Sequence, residues 1–262
     1  MSKALSEPLL LRDDREGTAT LRLNQPARFN ALSEALLEAL QREIGAIAED
    51  RSVRCVVLAA AGKDFCAGHD LREMRARPDL GYYQALFARC SLVMQGLQSL
   101  PVPVIARVQG IATAAGCQLV ASCDLAIAAE TARFAVSGIN VGLFCATPSV
   151  ALSRNVSAKR AFDMAFTGRF IDAATAADWG LINEAVPEAA LDDAVARKAA
   201  AIVAKSPAAV RIGKRMFYRQ RQLDLADAYA FAGDVMARNM MEEDAGEGID
   251  AFLGKRAPRW RG

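Results

Sequence analysis

The chain has 262 residues, 53% of them hydrophobic, and sets 32 Lys and Arg against 30 Asp and Glu for a formal net charge of +2. That length fits one large domain, or one domain with a helical appendage, and is enough to bury a full core. So small a net charge gives no field for capturing nucleic acid or a membrane surface, and any anion site must be built locally from a few basic groups. In chain order, Thr18 to Leu23 alternates at period two and reads as a half-buried strand, ended by Asn24-Gln25-Pro26. Ser33 is a fitting N-cap for a helix whose Leu37, Leu40, Ile44 and Ile47 make one apolar face. Val53 to Ala59 is a continuous apolar run of the kind found in strands covered on both faces. This strand-helix-strand order predicts a layered α/β fold with a parallel sheet.

Arg72 to Pro78 mixes basic groups with a breaker and reads as a mobile loop. Tyr82 to Leu100 is a long helix with Leu86, Cys90, Val93 and Leu97 on one side, stopped by Pro101. Val102 to Val108 is strand-like, Ala114 to Ser122 reads as a buried helix, and Leu125 to Ala129 as a further strand. Phe134 to Gly142 is expected to be extended and punctuated by glycine. Asp172 caps a helix over Ala173 to Trp179 that Gly180 stops, and Leu181 to Val186 reads as a last strand. Beyond Pro187 three apolar-faced helices follow: one carries Leu191, Val195, Ile202 and Val203, one opens at Pro207, and one carries Leu225, Tyr229, Ala232 and Met236. They predict an assembly region at 188–262 appended to a core at 1–187, with Phe252 and Trp260 in the tail.

Six cysteines, Cys55, Cys66, Cys90, Cys117, Cys123 and Cys145, form no Cys-x-x-Cys pair, and His69 is the only histidine. Reduced, buried thiols are expected, and a zinc site lacks ligands. No apolar run approaches the roughly 20 residues that span a bilayer. Met1 to Pro8 does not read as a signal peptide, so cytoplasmic residence is the expectation.

Two turns hold the chemistry. Gly110 leads from the Val102–Val108 strand into small residues that allow close backbone approach, and the helix after them begins buried, with free N–H groups and a positive dipole end. Phe65-Cys66-Ala67-Gly68-His69-Asp70-Leu71 follows the Val53–Ala59 strand in the same way. One N–H from each turn would make an oxyanion hole.

These two segments, Gly62 to Leu71 and Pro103 to Asp124, resemble those of the crotonase (enoyl-CoA hydratase/isomerase) superfamily. The likeness recurs at Gln25 to Ser33, Thr167 to Arg169, Gly180-Leu181 and Glu247 to Arg256, in the family's order along nearly the whole chain. Ala112 to Asp124 and Asn140 to Cys145 most resemble the enoyl-CoA hydratase domain-containing branch known from mitochondria and bacteria. The resemblance implies a repeated ββα superhelix with a C-terminal helical trimerisation region, assembled as a homotrimer or as a hexamer of two trimers. It implies a lyase of fatty acid metabolism that takes an acyl-CoA thioester, with coenzyme A as part of the substrate, no covalently bound cofactor and no metal.

By the same resemblance the oxyanion donors are the backbone N–H groups of His69 and Ala115. Substrate contacts are implied at Ala27, Arg28, Ala67, Asp70, Leu71, Arg72 and Ala114, with Phe252 and Lys255 for the adenine and phosphate end of CoA, Lys255 serving its own subunit or a neighbour. Hydratases of the family use two glutamates to move protons; their positions here are Gln118 and Gly138. An amide orients water but accepts no proton at neutral pH, and glycine has no side chain. His69 is then the one side chain nearby that titrates near pH 7. The readings left open are a hydratase-like enzyme stabilising a thioester enolate, a non-catalytic acyl-CoA-binding subunit, and another acyl-CoA reaction such as thioester hydrolysis or isomerisation. A serine peptidase on the same fold is disfavoured, since no strained Ser elbow surrounds Ser122 or Ser137.

Overall fold

Strand β1 (Leu10–Arg15) opens the structure, a computed structural model that describes residues 7–261. Met1 to Ser6, the start of the segment read above as no signal peptide, lies outside that range. β1 turns back antiparallel onto β2 (Thr18–Leu23). It escapes notice in the sequence because Arg12 to Arg15 breaks any apolar alternation, and Arg12 instead pairs with Asp14 and Asp50 at 2.6 and 3.1 Å. A 3-10 turn at Pro26–Arg28 leads to α1 (Glu34–Glu49), capped by Ser33 Oγ accepting from Leu36 N–H, with Leu37, Leu40, Ile44 and Ile47 all buried.

β3 (Cys55–Ala60) is buried at every position. Its Val56 and Leu58 face the main core under α1 and α3, while Cys55, Val57 and Ala59 face a second cluster, as a period-two strand between two layers requires. The expected loop at Arg72 to Pro78 is instead helix α2 (Leu71–Ala76), because Asp70 caps it by accepting from the N–H groups of Arg72 and Glu73. α3 (Leu80–Ser99) buries Leu86, Cys90, Val93 and Leu97 as read.

β4 (Val104–Val108), β5 (Ile111–Thr113) and α4 (Ala115–Ser122) come next, and every residue of α4 is buried. β6 (Leu125–Ala129) and β7 (Arg133–Ala135) lead to a second 3-10 segment at Ser137–Val141, where an extended run was expected. Gly142 at φ +77° reverses the chain and its N–H bonds back to the carbonyls of Gly138 and Ile139, which tightens the segment into a helical turn. α5 (Ala146–Leu152), α6 (Ala158–Thr167), β8 (Ile171–Asp172), α7 (Ala173–Trp179) and β9 (Glu184–Val186) complete the core, with Asp172 and Gly180 capping α7 as expected. Among the described residues four α-helices follow Pro187 rather than three: α8 (Leu191–Val203), α9 (Pro207–Gln220), α10 (Leu225–Asn239) and α11 (Glu243–Leu253), the last lying in the expected tail, where Phe252 and Leu253 sit among charges.

The large sheet runs β1-β2-β3-β4-β6-β9 and is parallel beyond β2; a small sheet runs β5-β7-β8. A large-sheet strand, a short small-sheet strand and a helix recur as a unit: β4-β5-α4, then β6-β7-α5. The segment after β3 joins the pattern through a parallel bridge between Cys66 and Ala112. This is the repeated ββα core with a C-terminal helical region. α8 closes the second face of the sheet, with Leu191 and Val195 against Val57, Ile105 and Ile127.

Candidate active site

Register in the small sheet decides which residues meet. Cys66 pairs with Ala112 and Ala112 with Phe134, all parallel, and the turns that leave these strands bring His69, Ala115 and Ser137 to one cavity. The first two turns touch: a Cβ on Gly68, at φ +91°, would lie 2.9 Å from Ala114 Cβ and 3.2 Å from Ala115 N. Only glycine fits that crossing.

The His69 N–H is turned away from α1's lead-in. Leu32 N–H donates to the Gly68 carbonyl and Asp70 N–H to the Leu32 carbonyl, a parallel bridge that leaves His69's own amide on the opposite side. Ala115 is the first residue of α4 and its N–H has no carbonyl one turn back to bond. The unusual conformation that starts this helix falls on Ala114, at φ 50° and ψ −120°, and Ala115 is left with ordinary helical geometry.

Both residues, His69 and Ala115, line a cavity of about 340 Å³. Of the residues singled out in the sequence, Ala67, His69, Leu71, Ala114, Ala115 and Gly138 line it. The remaining wall is mostly apolar, from Met74 of α2, Phe87 of α3, and Val141, Leu143, Phe144 and Pro148 beyond β7, with Ser137, Cys145 and Thr147 as its polar members. The His69 ring meets Phe87 edge-on at 5.4 Å, and neither ring nitrogen has a hydrogen-bond partner among the described residues. Burial holds this imidazole below its ordinary 6.5; the nearby Leu32 backbone opposes the shift only in part.

Gln118 does not line the cavity. It is 5% exposed inside α4, and its Oε1 meets no hydrogen-bond donor among the described residues. Ala27 and Arg28 are exposed on the first 3-10 turn, with the Arg28 guanidinium 3.6 Å from the Asp70 carboxylate. Asp70 itself is occupied as the α2 cap, and Arg72 is exposed on the same helix. Phe252 and Lys255 stand apart, exposed at the end of α11, where Phe252 borders a different cavity with Met236 and Trp260.

Two features of the cavity, the Thr113–Ser137 hydroxyl pair and Phe87, escape a reading of the sequence, as does the contact that Cys145, set near the two turns by the sequence, makes with Gly138. The Thr113 and Ser137 hydroxyls meet at 2.7 Å beside the adjoining turns, and Ser137 lines the cavity. Cys145 Sγ accepts the Gly138 N–H at 3.2 Å. Phe87 projects from the flank of α3 next to its buried stripe. Nothing in their spacing marks them; only packing of α3 and the 137–145 segment against α4 brings them in. All six cysteines are free and buried, and burial pushes the thiols of Cys55, Cys66, Cys90 and Cys117 up to about 12, where they are poor nucleophiles. Among the described residues no group of His, Cys, Asp and Glu is placed to hold a metal ion, and no helix is long and apolar enough to cross a membrane.

Residues 13–262 match the family model described as enoyl-CoA hydratase/isomerase. Enoyl-CoA hydratase domain-containing protein 3, mitochondrial, from Xenopus laevis is 44% identical, with 97% of this chain and 86% of that protein aligned. A crystal structure of an enoyl-CoA hydratase from Mycobacterium smegmatis superposes with a TM-score of 0.96 at 62% identity, over 97% of this chain and 99% of that one. The human enoyl-CoA hydratase domain-containing protein 3 superposes at 0.94 with 43% identity, over 97% and 100%. The expectation of cytoplasmic residence does not stand: the Xenopus protein and its counterpart from Rattus norvegicus, also 44% identical, are mitochondrial by name. That expectation rested on the lack of a spanning segment and of a secretory signal, neither of which bears on entry into an organelle. With the ββα repeat, the adjoining turns and these relatives together, the chain belongs to the enoyl-CoA hydratase/isomerase family, the crotonase superfamily of acyl-CoA enzymes.

Proposed function

We propose that this enzyme grips the thioester oxygen of an acyl-CoA between the His69 and Ala115 N–H groups and stabilises the enolate that forms when the α-carbon is deprotonated or its β-carbon attacked. The observation that supports the reading is the contact of the two turns at Gly68 and Ala114–Ala115, with His69 and Ala115 both among the residues that line one cavity. Charge developing on the oxygen meets the positive end of α4, away from bulk water, where fixed dipoles act most strongly. The apolar walls from Met74, Phe87, Leu143 and Pro148 suit the acyl chain.

Proton movement is where this enzyme parts from an ordinary hydratase, its nearest named activity. Neither Gln118 nor Gly138 carries a carboxylate; of the titratable side chains at the cavity, burial raises the Cys145 thiol and keeps it protonated, which leaves His69, held neutral by burial, to move protons. Weak hydration of crotonyl-CoA is the expected outcome. The same two positions favour a second reading, a subunit that binds acyl-CoA without turning it over; hydrolysis or isomerisation through His69 is the third. CoA phosphates are assigned to Arg28 and Arg72, with Phe252 and Lys255 reaching the nucleotide from their own or a neighbouring subunit. A homotrimer, doubled as a hexamer, is proposed with 188–262 as its assembly region, since Leu225, Tyr229, Met236 and Phe252 are all more than 70% exposed.

A panel of acyl-CoA thioesters, followed by calorimetry for binding and mass spectrometry for products, tests the reading. Micromolar binding is expected, and replacing the 114–115 amide by an ester, which deletes the Ala115 N–H and only weakens the Ala114 carbonyl as acceptor for Gln118 N–H, should lower any turnover by about 10²–10³. A crotonyl-CoA hydration rate equal to that of ordinary hydratases would show the two proton-moving positions to be misassigned. Absence of any acyl-CoA binding would end the proposal, and light scattering that finds only monomer would remove the trimer.

A further inference from the structure

The cavity wall beyond β7 is closed around Gly138. A Cβ built there would lie 2.5 Å from the Leu143 carbonyl oxygen and 2.7 Å from Cys145 Sγ, whereas carbon contacts are comfortable only from about 3.5 Å. Both obstacles are tied back to the glycine itself: its carbonyl accepts the Leu143 N–H at 3.0 Å, and its N–H donates to Cys145 Sγ at 3.2 Å. Cys145 is fixed in turn at the head of α5, where its carbonyl accepts from Ser149 N–H and Oγ. Gly138 is absent from the positive-φ glycines, so the position needs glycine for space and not for backbone conformation. Neither obstacle is the loose end of a long side chain that could swing aside.

We propose that Gly138 and Cys145 form an interlocked pair that sets the reaction specificity of the cavity. The 138–145 segment is packed so that at position 138 the wall presents main chain and a thiol between the apolar side chains of Val141, Leu143 and Phe144, with no room there for a proton-carrying side chain. Cys145 acts as a positioning residue: its Sγ fills the volume that a side chain at 138 would need and holds the segment shut. The cavity is thus built around the missing carboxylate, and a single exchange at position 138 does not restore one. The part that concerns specificity rests on the acyl-CoA reading above; the interlock itself does not.

Thermal unfolding and acyl-CoA titration of Gly138→Ala, Gly138→Glu, Cys145→Ala and the double variant Gly138→Ala/Cys145→Ala test this. Gly138→Ala should lower Tm by about 2–10 °C and weaken acyl-CoA binding about tenfold. Gly138→Glu should do more of both and hydrate crotonyl-CoA no faster than the natural chain. Removing Sγ in the double variant should recover part of each loss, and the S–H stretching band that disappears in Cys145→Ala should shift when acyl-CoA fills the cavity of the natural chain. The proposal is overturned by Gly138→Ala with unchanged Tm and affinity, by a double variant no better than Gly138→Ala, by Gly138→Glu with raised hydratase activity, or by a thiol band indifferent to ligand. If the natural chain bound no acyl-CoA, the reading of function would fall alone, and the Tm series would still decide the interlock.

Discussion

His69 is the only histidine in the chain, and that makes its buried state visible in solution. Burial lowers its pKa below 6.5, so between the folded and unfolded values the unfolded chain binds more protons than the folded one. Stability therefore rises with pH up to about 6.5, levels off above it, and is lost as pH falls through this window. The lowered carboxylates, Asp50, Asp172, Asp192 and Glu247, act only at lower pH, below their ordinary 3.8 to 4.5. Urea unfolding of the natural chain should show this slope between pH 5 and 6.5, and His69→Leu should lack it. Ala114 offers a second test at this scale. Its φ of 50° and ψ of −120° suit glycine, and such a residue stores about 1–3 kcal/mol, against which glycine's extra freedom in the unfolded chain costs about 0.5–1 kcal/mol. Ala114→Gly should stabilise the protein by about 1 kcal/mol, read as a shift of the urea midpoint at unchanged slope.

Among the elements, α2 forms a wall of the cavity through Leu71 and Met74 and depends on one cap. Asp70→Ala should cost about 1 kcal/mol, speed amide exchange over residues 71–76 and loosen acyl-CoA binding; Asp70→Asn, which still caps, should restore all three. This helix also shows where sequence reading stops. α1, α3, β3 and β6 were legible because their apolar positions repeat at 3.6 or 2.0, or run unbroken. In α2, Arg72, Glu73 and Arg75 swamp the two apolar positions that matter, so the capped helix reads as a loop. β1 was lost in the same way to Arg12, Asp13 and Asp14. At the candidate site, the two small-residue turns could be read because close backbone approach demands small residues. Cys145 could be set near them, but Phe87, the Thr113–Ser137 hydroxyl pair and the contact of Cys145 with Gly138 could not be read, since these depend on how distant segments settle against α4.

Across the whole molecule, a buried ion pair joins the helical region to the sheet. Lys214 of α9, its side chain 6% exposed, donates to the carbonyls of Leu97 and Val102 at 2.9 Å each and to Asp124 at 2.7 Å. The same carboxylate accepts the Val104 N–H and the Tyr218 hydroxyl. Burial drags the Lys214 pKa down, and Asp124 partly offsets this. Removing one partner of such a pair leaves an uncompensated charge: Lys214→Met should destabilise by about 3–5 kcal/mol, and adding Asp124→Asn should recover part of it, both measurable by denaturant titration. Arg54 adds a second tie, from the start of β3 to the carbonyls of Val203 and Lys205. A recombinant fragment cut off near Ala204 would therefore not be a smaller working core. It would expose the loop at Pro101 and leave the Asp124 carboxylate at the end of α4 without its cation, so the last sixty or so residues behave as a keystone for the layered core itself.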